Sequence, residues 1–460
     1  MATVKALGLV HEVKARSTDV HAELVEDNKP KGSGPLRIAS ADSVQITPAT
    51  HGTWENVQDG RLWRLRVSSE GATDLNFGFT QCWLPEGATL HISSETEDYF
   101  QGPFTAQDNK PHRQLWTPLI PGPRAVIELF VPTGTQEPQL LLSHINRGYR
   151  DMFHRQQDFP GEKAGSCNID TVCSQGDAWR NEIRSVARYT INGISLCTGT
   201  LINNVGANNR NFFLTAAHCN VSAGNASTVV VYWNYQSPSC GLHSGGSLAQ
   251  NQNSTTFRML KADVDVALLE LDDIPDSAFN VYYAGWDRSG AAVNSAVGIH
   301  HPNGDEKSIT FCTTALSTVD SCIGGGGSST HWQVNWSSGT TEPGSSGSGI
   351  WNPANRRIVG ALSGGGASCD TPTLPDCYGK LSFAWDTGTT PATRLRDWLD
   401  PNNTGALGVD GRDPVEAPTD FNLARDFSTN SNPNGAWSYG WQSAVGGAFT
   451  PLSETRTAMA

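Results

Sequence analysis

Gly344-Ser345-Ser346-Gly347-Ser348 is a turn of small residues with a serine at its centre. Far upstream, Leu214-Thr215-Ala216-Ala217-His218-Cys219 ends a short apolar run on a histidine, with a cysteine directly behind it. Between the two lies Asp263-Val264-Asp265-Val266-Ala267-Leu268-Leu269-Glu270-Leu271. His, then Asp, then Ser is one of the few orders in which base, orienter and nucleophile occur along a chain. A serine hydroxyl is a weak nucleophile and needs a base beside it. Histidine titrates close enough to neutrality to take the proton and give it back. A buried carboxylate fixes the imidazole tautomer. Asp265 is favoured over Asp263 because it directly precedes the Val-Ala-Leu-Leu run. Glycines around Ser346 allow a sharp turn that aims N–H groups at a developing oxyanion, here those of Gly344 and Ser346.

Working outward, 460 residues are too many for one ordinary domain. A hydrophobic content of 37% with 47 glycines suits a loop-rich β protein. The net charge of −13 argues against a nucleic-acid or anionic-membrane partner. No run approaches the about 18 apolar residues that a spanning helix needs. Met1 to Lys14 holds only Ala6–Val10 as an apolar cluster, too short for a signal peptide, so none is visible here. Ten cysteines, all but Cys82 from Cys167 onward, imply disulfides and an oxidising compartment. Without a Cys-x-x-Cys pair, neither a zinc site nor any other metal or cofactor is expected.

Gly-Thr-Leu-Ile-Asn-Asn (199–204), Phe-Leu-Thr-Ala-Ala-His-Cys (213–219), Val-Val-Tyr-Trp-Asn-Tyr-Gln (230–236), Ala-Gly-Trp-Asp-Arg (284–288), Ile-His-His-Pro-Asn (299–303) and Thr-Glu-Pro-Gly-Ser-Ser-Gly-Ser (341–348) resemble the bacterial lysyl endopeptidases. These are secreted serine proteases of the chymotrypsin-like class. The resemblance implies an all-β, double β-barrel protease domain over 164–411 with a C-terminal helix. It implies the triad His218, Asp265 and Ser346, and bridges Cys167–Cys369, Cys173–Cys240 and Cys197–Cys219. Proximity alone suggests Cys312–Cys322, which leaves Cys82 and Cys377 over. A trypsin-like protease carries an acid a few residues before its nucleophile, where this chain reads Thr340-Thr341. In the resembled family the charge comes from an aspartate just before a late Tyr-Gly, which here is Asp376. Ser363 and Gly364 line the same pocket. The family's aromatic–histidine pair falls on Ile323 and Ser363, which cannot stack, so arginine is expected as a second substrate. Ser345 stands where trypsin-type zymogens have an aspartate for the freed N-terminus, so Cys167–Cys369 is expected to tether that terminus instead.

In chain order, 1–45 is polar and reads as flexible. Over 46–163 apolar residues alternate, as in Trp63, Leu65 and Val67, then Leu75, Phe77 and Phe79, then Ile127, Leu129 and Val131. This is a β-sandwich pattern. Placed before a protease, it reads as a pro-domain, an intramolecular chaperone and inhibitor. Lys163-Ala164, in a polar Gly/Pro-bearing junction, is the expected processing point, with Arg155 as competitor. The tract 323–329 reads as a loop, since no Lys-Ser/Thr follows its glycines. His300-His301 reads as structural. Thr390-Pro391 opens a helix, with Leu395, Trp398 and Leu399 at helical spacing and Pro401 stopping it. Residues 412–460 read as a linker and the start of a further β module. The expected protein is a secreted serine endopeptidase acting on polypeptides after lysine. The alternative is an inactive protease-fold binding protein. An esterase is disfavoured because its elbow ends in glycine and its histidine comes last.

Overall fold

The computed structural model describes residues 4–27, 34–96, 98–155, 163–321 and 327–415, with the backbone of 440–441 and 450–451. Ile323 and Cys322 lie outside these residues. The chain divides into Met1–Asp413 and Pro414–Ala460. In the second unit Gly440–Trp441 pairs antiparallel with Thr450–Pro451.

The N-terminal region is a sandwich of two sheets. In one, strand Gly60–Ser68 lies between Glu12–Lys14 and Arg124–Pro132, which continues to Thr89–Ser94 and Phe100–Phe104. In the other, Asp74–Trp83 pairs with Gln139–Gly148, which pairs with Ala39–Ile46. The alternating residues fill one core: Trp63, Leu65, Val67, Phe77, Phe79, Ile127 and Leu129 are all buried in it. Burying an aromatic or branched side chain contributes about 1.5–3 kcal/mol, which is why period-two patterning is legible. Arg64 breaks the alternation; it is buried too, because Glu55 pairs with it at 2.6 Å.

Among the described residues, 1–45 carries regular elements where the sequence reading expected flexible chain. Glu12–Lys14 adds a parallel edge to Gly60–Ser68, and helix Val20–Glu26 is capped by Asp19, which accepts the Ala22 N–H. Leu36–Arg37 pairs with Ser195 and Leu196. Polar composition hid the two strands because their backbone bonds go to partners far along the chain.

The protease region has two sheets. The first runs Asn251–Asn253, Val230–Tyr232, Val186–Ile191, Ser195–Ile202, Phe212–Thr215, Val266–Leu271, Thr255–Lys261. The second runs Ile169–Asp170, Ser308–Cys312, Ala296–His300, Gly349–Asn352, Arg357–Gly365, Asp376–Lys380, His331–Val334, Ser317–Val319. Each curls on its own core, around Phe213 and Trp233 in the first and Trp332 and Tyr378 in the second. A third core, with Leu214, Val266, Trp286, Trp351 and Leu399, draws on both sheets. This is the chymotrypsin-like arrangement.

The C-terminal helix is in two pieces. Thr390 and Thr393 form a capping box around Pro391–Thr393, then Arg394 is extended and a second turn covers Arg396–Leu399. Leu395 and Leu399 still reach the core. A short helix at Leu381–Asp386, which the sequence pattern did not reveal, adds Leu381 and Trp385 to it.

The sandwich docks on the first protease sheet. Ile38, Trp116, Leu119 and Met152 share a core with Leu196, Tyr232 and Tyr235. Asn76 Nδ2 donates to the Gly193 carbonyl at 2.9 Å, and Asn146 Nδ2 to that of Asn192 at 3.1 Å.

Candidate active site

Strand Phe212–Thr215 delivers His218 on a single turn, Ala217–Cys219. The bridge Cys197–Cys219 ties that turn to the neighbouring strand. Asp265 stands one residue before strand Val266–Leu271, with φ of 56°. Its Oδ1 accepts the His218 backbone N–H at 2.8 Å, and its Oδ2 lies 2.7 Å from Nδ1. The carboxylate thus holds both the backbone and the ring of His218. Nε2 is buried with no hydrogen-bond partner among the described residues. Asp263, the runner-up, is half exposed and pairs with Lys261 instead.

Ser346 is buried on a turn pressed against the first sheet. Thr198 N–H donates to the Ser346 carbonyl, and Thr198 Oγ1 to that of Gly344, both at 2.9 Å. Gly347 has φ of 84°, and a Cβ there would lie 2.2 Å from Thr215 Oγ1 and 2.8 Å from Ala216 N. Only glycine lets the serine turn approach the residues leading into His218. The carbonyls of Gly344 and Ser346 are engaged, while their N–H groups have no acceptor among the described residues. Ser345 Oγ lies 2.8 Å from His300 Nδ1 and accepts the Glu342 N–H at 3.2 Å. His301 Nδ1 meets the Asp305 carbonyl at 2.9 Å.

Asp376 is fully buried. Trp336 Nε1 and Thr341 Oγ1 donate to its Oδ2 at 2.8 and 2.6 Å. The threonine standing where a trypsin-like acid would be therefore supports an acid on another strand. Gly365 faces Asp376 across the ladder and Gly364 faces Cys377. A Cβ on Gly365 would lie 2.5 Å from Asp376 Oδ1, so glycine keeps the carboxylate's flank open. Ser363 Oγ is 3.1 Å from His331 Nε2, whose other nitrogen meets Thr330 Oγ1 at 2.8 Å. Burial lowers the His331 pKa against the pull of Asp265. Neither His331 nor Trp336 carried a sequence signal, since both sit in an ordinary apolar strand pattern.

Three expected bridges are present: Cys167–Cys369, Cys173–Cys240 and Cys197–Cys219. Cys312–Cys322 is not: Cys312 is a buried free thiol whose Sγ turns to the Thr314 carbonyl at 3.2 Å. Closeness in sequence was a poor guide because the strand end points that thiol inward. Cys377, left over in the sequence, is disulfide-bonded. Cys82 is free and buried, which raises its pKa to about 12.

Residues 161–379 match the family model for the lysyl endopeptidase C-terminal domain, and 10–145 that for the lysyl endopeptidase N-terminal domain. The chain is 31% identical over 383 residues to the lysyl endopeptidase of Pseudomonas aeruginosa, across 75% of this chain and 78% of that protein. This chain belongs to the lysyl endopeptidase family. It is a serine endopeptidase. Among solved structures it is similar to a Glu endopeptidase, 18% identical over 48% of this chain and 93% of that one, with a TM-score of 0.32. It is also similar to a protease of M. tuberculosis in its active form, 16% identical over 46% and 83%, with a TM-score of 0.31. Within that family, the matched N-terminal domain is the sandwich and the matched C-terminal domain surrounds His218 and Ser346.

Proposed function

We propose that the chain is a secreted endopeptidase that cuts polypeptides after lysine, with arginine as a second substrate. Ser346 attacks the carbonyl carbon while His218 Nε2 takes its proton. Asp265 keeps Nδ1 protonated and stabilises the imidazolium. The N–H groups of Gly344 and Ser346 receive the oxyanion. His218 then protonates the leaving amine, and water releases the acyl group by the same steps. Asp376 receives the lysine ammonium.

The observation that carries the specificity is the buried Asp376 carboxylate, held by Trp336 and Thr341 beside glycines. A lysine ammonium matches that carboxylate in charge and a neutral side chain does not, and sites of this kind discriminate strongly. Arginine is admitted because Ser363 offers no ring to narrow the pocket. Peptide mapping of a digested, denatured protein tests this. Cuts after lysine, with some after arginine, are expected. Cuts after apolar residues would remove Asp376 from the role. Asp376→Asn should lower kcat/KM on lysine substrates by about 10³ or more.

The N-terminal sandwich is, on this reading, a pro-domain that shapes the protease and is cut away after Lys163. Its bonds to the first sheet support the shaping role. Among the described residues no hydrogen bond joins it to His218 or Ser346.

A further inference from the structure

Ala164 is the residue that a cut after Lys163 would leave at the N-terminus. Its N–H donates to Asp305 Oδ2 at 2.6 Å, and Asp305 is buried. The next N–H, of Gly165, reaches both oxygens of Glu342, at 3.1 and 3.3 Å. Asn168 Nδ2 donates to Glu342 as well, at 3.1 Å. Asn303 Nδ2 spans the Lys163 carbonyl and Glu342, at 3.1 and 3.3 Å, while its backbone N–H holds the Pro343 carbonyl at 2.6 Å. The two sides of the scissile bond are therefore fastened to the residues that lead directly into Gly344.

We propose that Asp305 is the counter-ion of the mature N-terminus, and that this pair positions the 342–346 turn for catalysis. The proposal rests on processing after Lys163. Among the described residues, the group that this segment presents to Asp305 in the intact chain is the neutral Ala164 N–H. The charged groups around Asp305 are His154, 3.7 Å from its Oδ1, Glu306 on the next residue, and Arg188. Burial, against His154 and Arg188, pushes the Asp305 carboxyl up to about 6. Hydrolysis adds water across the Lys163–Ala164 bond. The hydroxyl goes to the lysine carbonyl carbon, which becomes a carboxylate, and the nitrogen collects the released protons and becomes an ammonium. That ammonium is formed where the amide N–H already sits, against a buried carboxylate. The new lysine carboxylate is formed beside the same two acids and is repelled by them. One cut thus pairs the acid at 305 and expels the upstream strand end. The missing acid at Ser345 does not rule out an N-terminal ion pair, because the acid comes from Asp305 instead.

The test compares mature wild-type enzyme, Asp305→Asn, and a variant with one glycine inserted after Lys163. The insertion keeps the lysine cut but displaces the ammonium by about 3.5 Å. N-terminal sequencing is read first, then kcat and KM per active site counted by a covalent serine reagent. Ala164 at the wild-type terminus is expected, with kcat lowered about tenfold or more in both variants and KM changed far less, since losing one oxyanion donor costs about 10²–10³. Ala164 at the terminus with unchanged kcat in both variants overturns this inference alone. A fall only in the number of active sites also overturns it, because that is a folding effect. A wild-type terminus other than Ala164 overturns the processing reading and this inference with it.

Discussion

Two histidine–carboxylate pairs, His218–Asp265 and His154–Glu306, differ in what the ring is set to do. In His218–Asp265 the carboxylate holds Nδ1 at 2.7 Å, and Nε2 has no hydrogen-bond partner among the described residues. In His154–Glu306 the engaged nitrogen is Nε2, at 3.1 Å from the carboxylate and 3.2 Å from Tyr235 Oη. The first ring is oriented and has a nitrogen available for a proton from serine. The second spends its reactive nitrogen on holding the sandwich to the protease. On the proposed reading the same residue types serve catalysis in one place and form a clasp in the other, although among the described residues each ring keeps one buried nitrogen unpartnered.

The comparison breaks most sharply at Ser346. Ser346→Ala leaves His218–Asp265 untouched, yet turnover should fall by a factor on the order of 10⁶. Retained hydrolysis in a purified sample would end the assignment. Next comes the tautomer. Asp265→Asn should lower kcat by about 10⁴ with the fold intact. A fall of less than tenfold would mean that the carboxylate does not set the ring's protonation.

The clasp gives the smallest effect. Burial pulls the His154 pKa down, but Glu306 and Asp305 outweigh it, and the net shift is upward. A raised folded-state pKa contributes stability that is full below the unfolded value, about 6.5, and is lost as pH rises through the folded value. Glu306, shifted down, loses its own contribution only in acid. The uncut Ser346→Ala precursor should therefore lose stability from about pH 6 to pH 8, on the order of 2 °C in Tm. His154→Gln should flatten that fall. An equal fall in both proteins would place the titration elsewhere.

What the sequence made legible has a physical pattern. His218, Asp265 and Ser346 stand out because their chemistry demands fixed residue types in fixed local settings. Asp376 was reachable only through its Tyr-Gly neighbours, and its donors not at all. Trp336 is 40 positions away from it in the chain, so no local pattern links the two. The sandwich core was read from alternation, since burial on one face imposes period two. Glu12–Lys14 and Leu36–Arg37 were missed because edge strands are chosen by distant backbone partners. The closing helix was read as one piece, since nothing in Arg394-Leu395 announces an extended residue. The Cys312 error has the same root: contact is decided by which way a strand end faces, and sequence distance does not report it.

Cys82 is the only cysteine ahead of Lys163, and it is unbridged. After a cut at Lys163, no covalent link would survive between sandwich and protease. An intramolecular association becomes a bimolecular one, and dilution acts on it for the first time. For a secreted enzyme, departure would then be a one-way event, because the released partner would be diluted to vanishing concentration. The bridges Cys167–Cys369, Cys173–Cys240 and Cys197–Cys219 stay with the protease and preserve its shape. The mould that helped set that shape is gone. Such an enzyme would depend for its lifetime on how slowly it unfolds rather than on how readily it refolds.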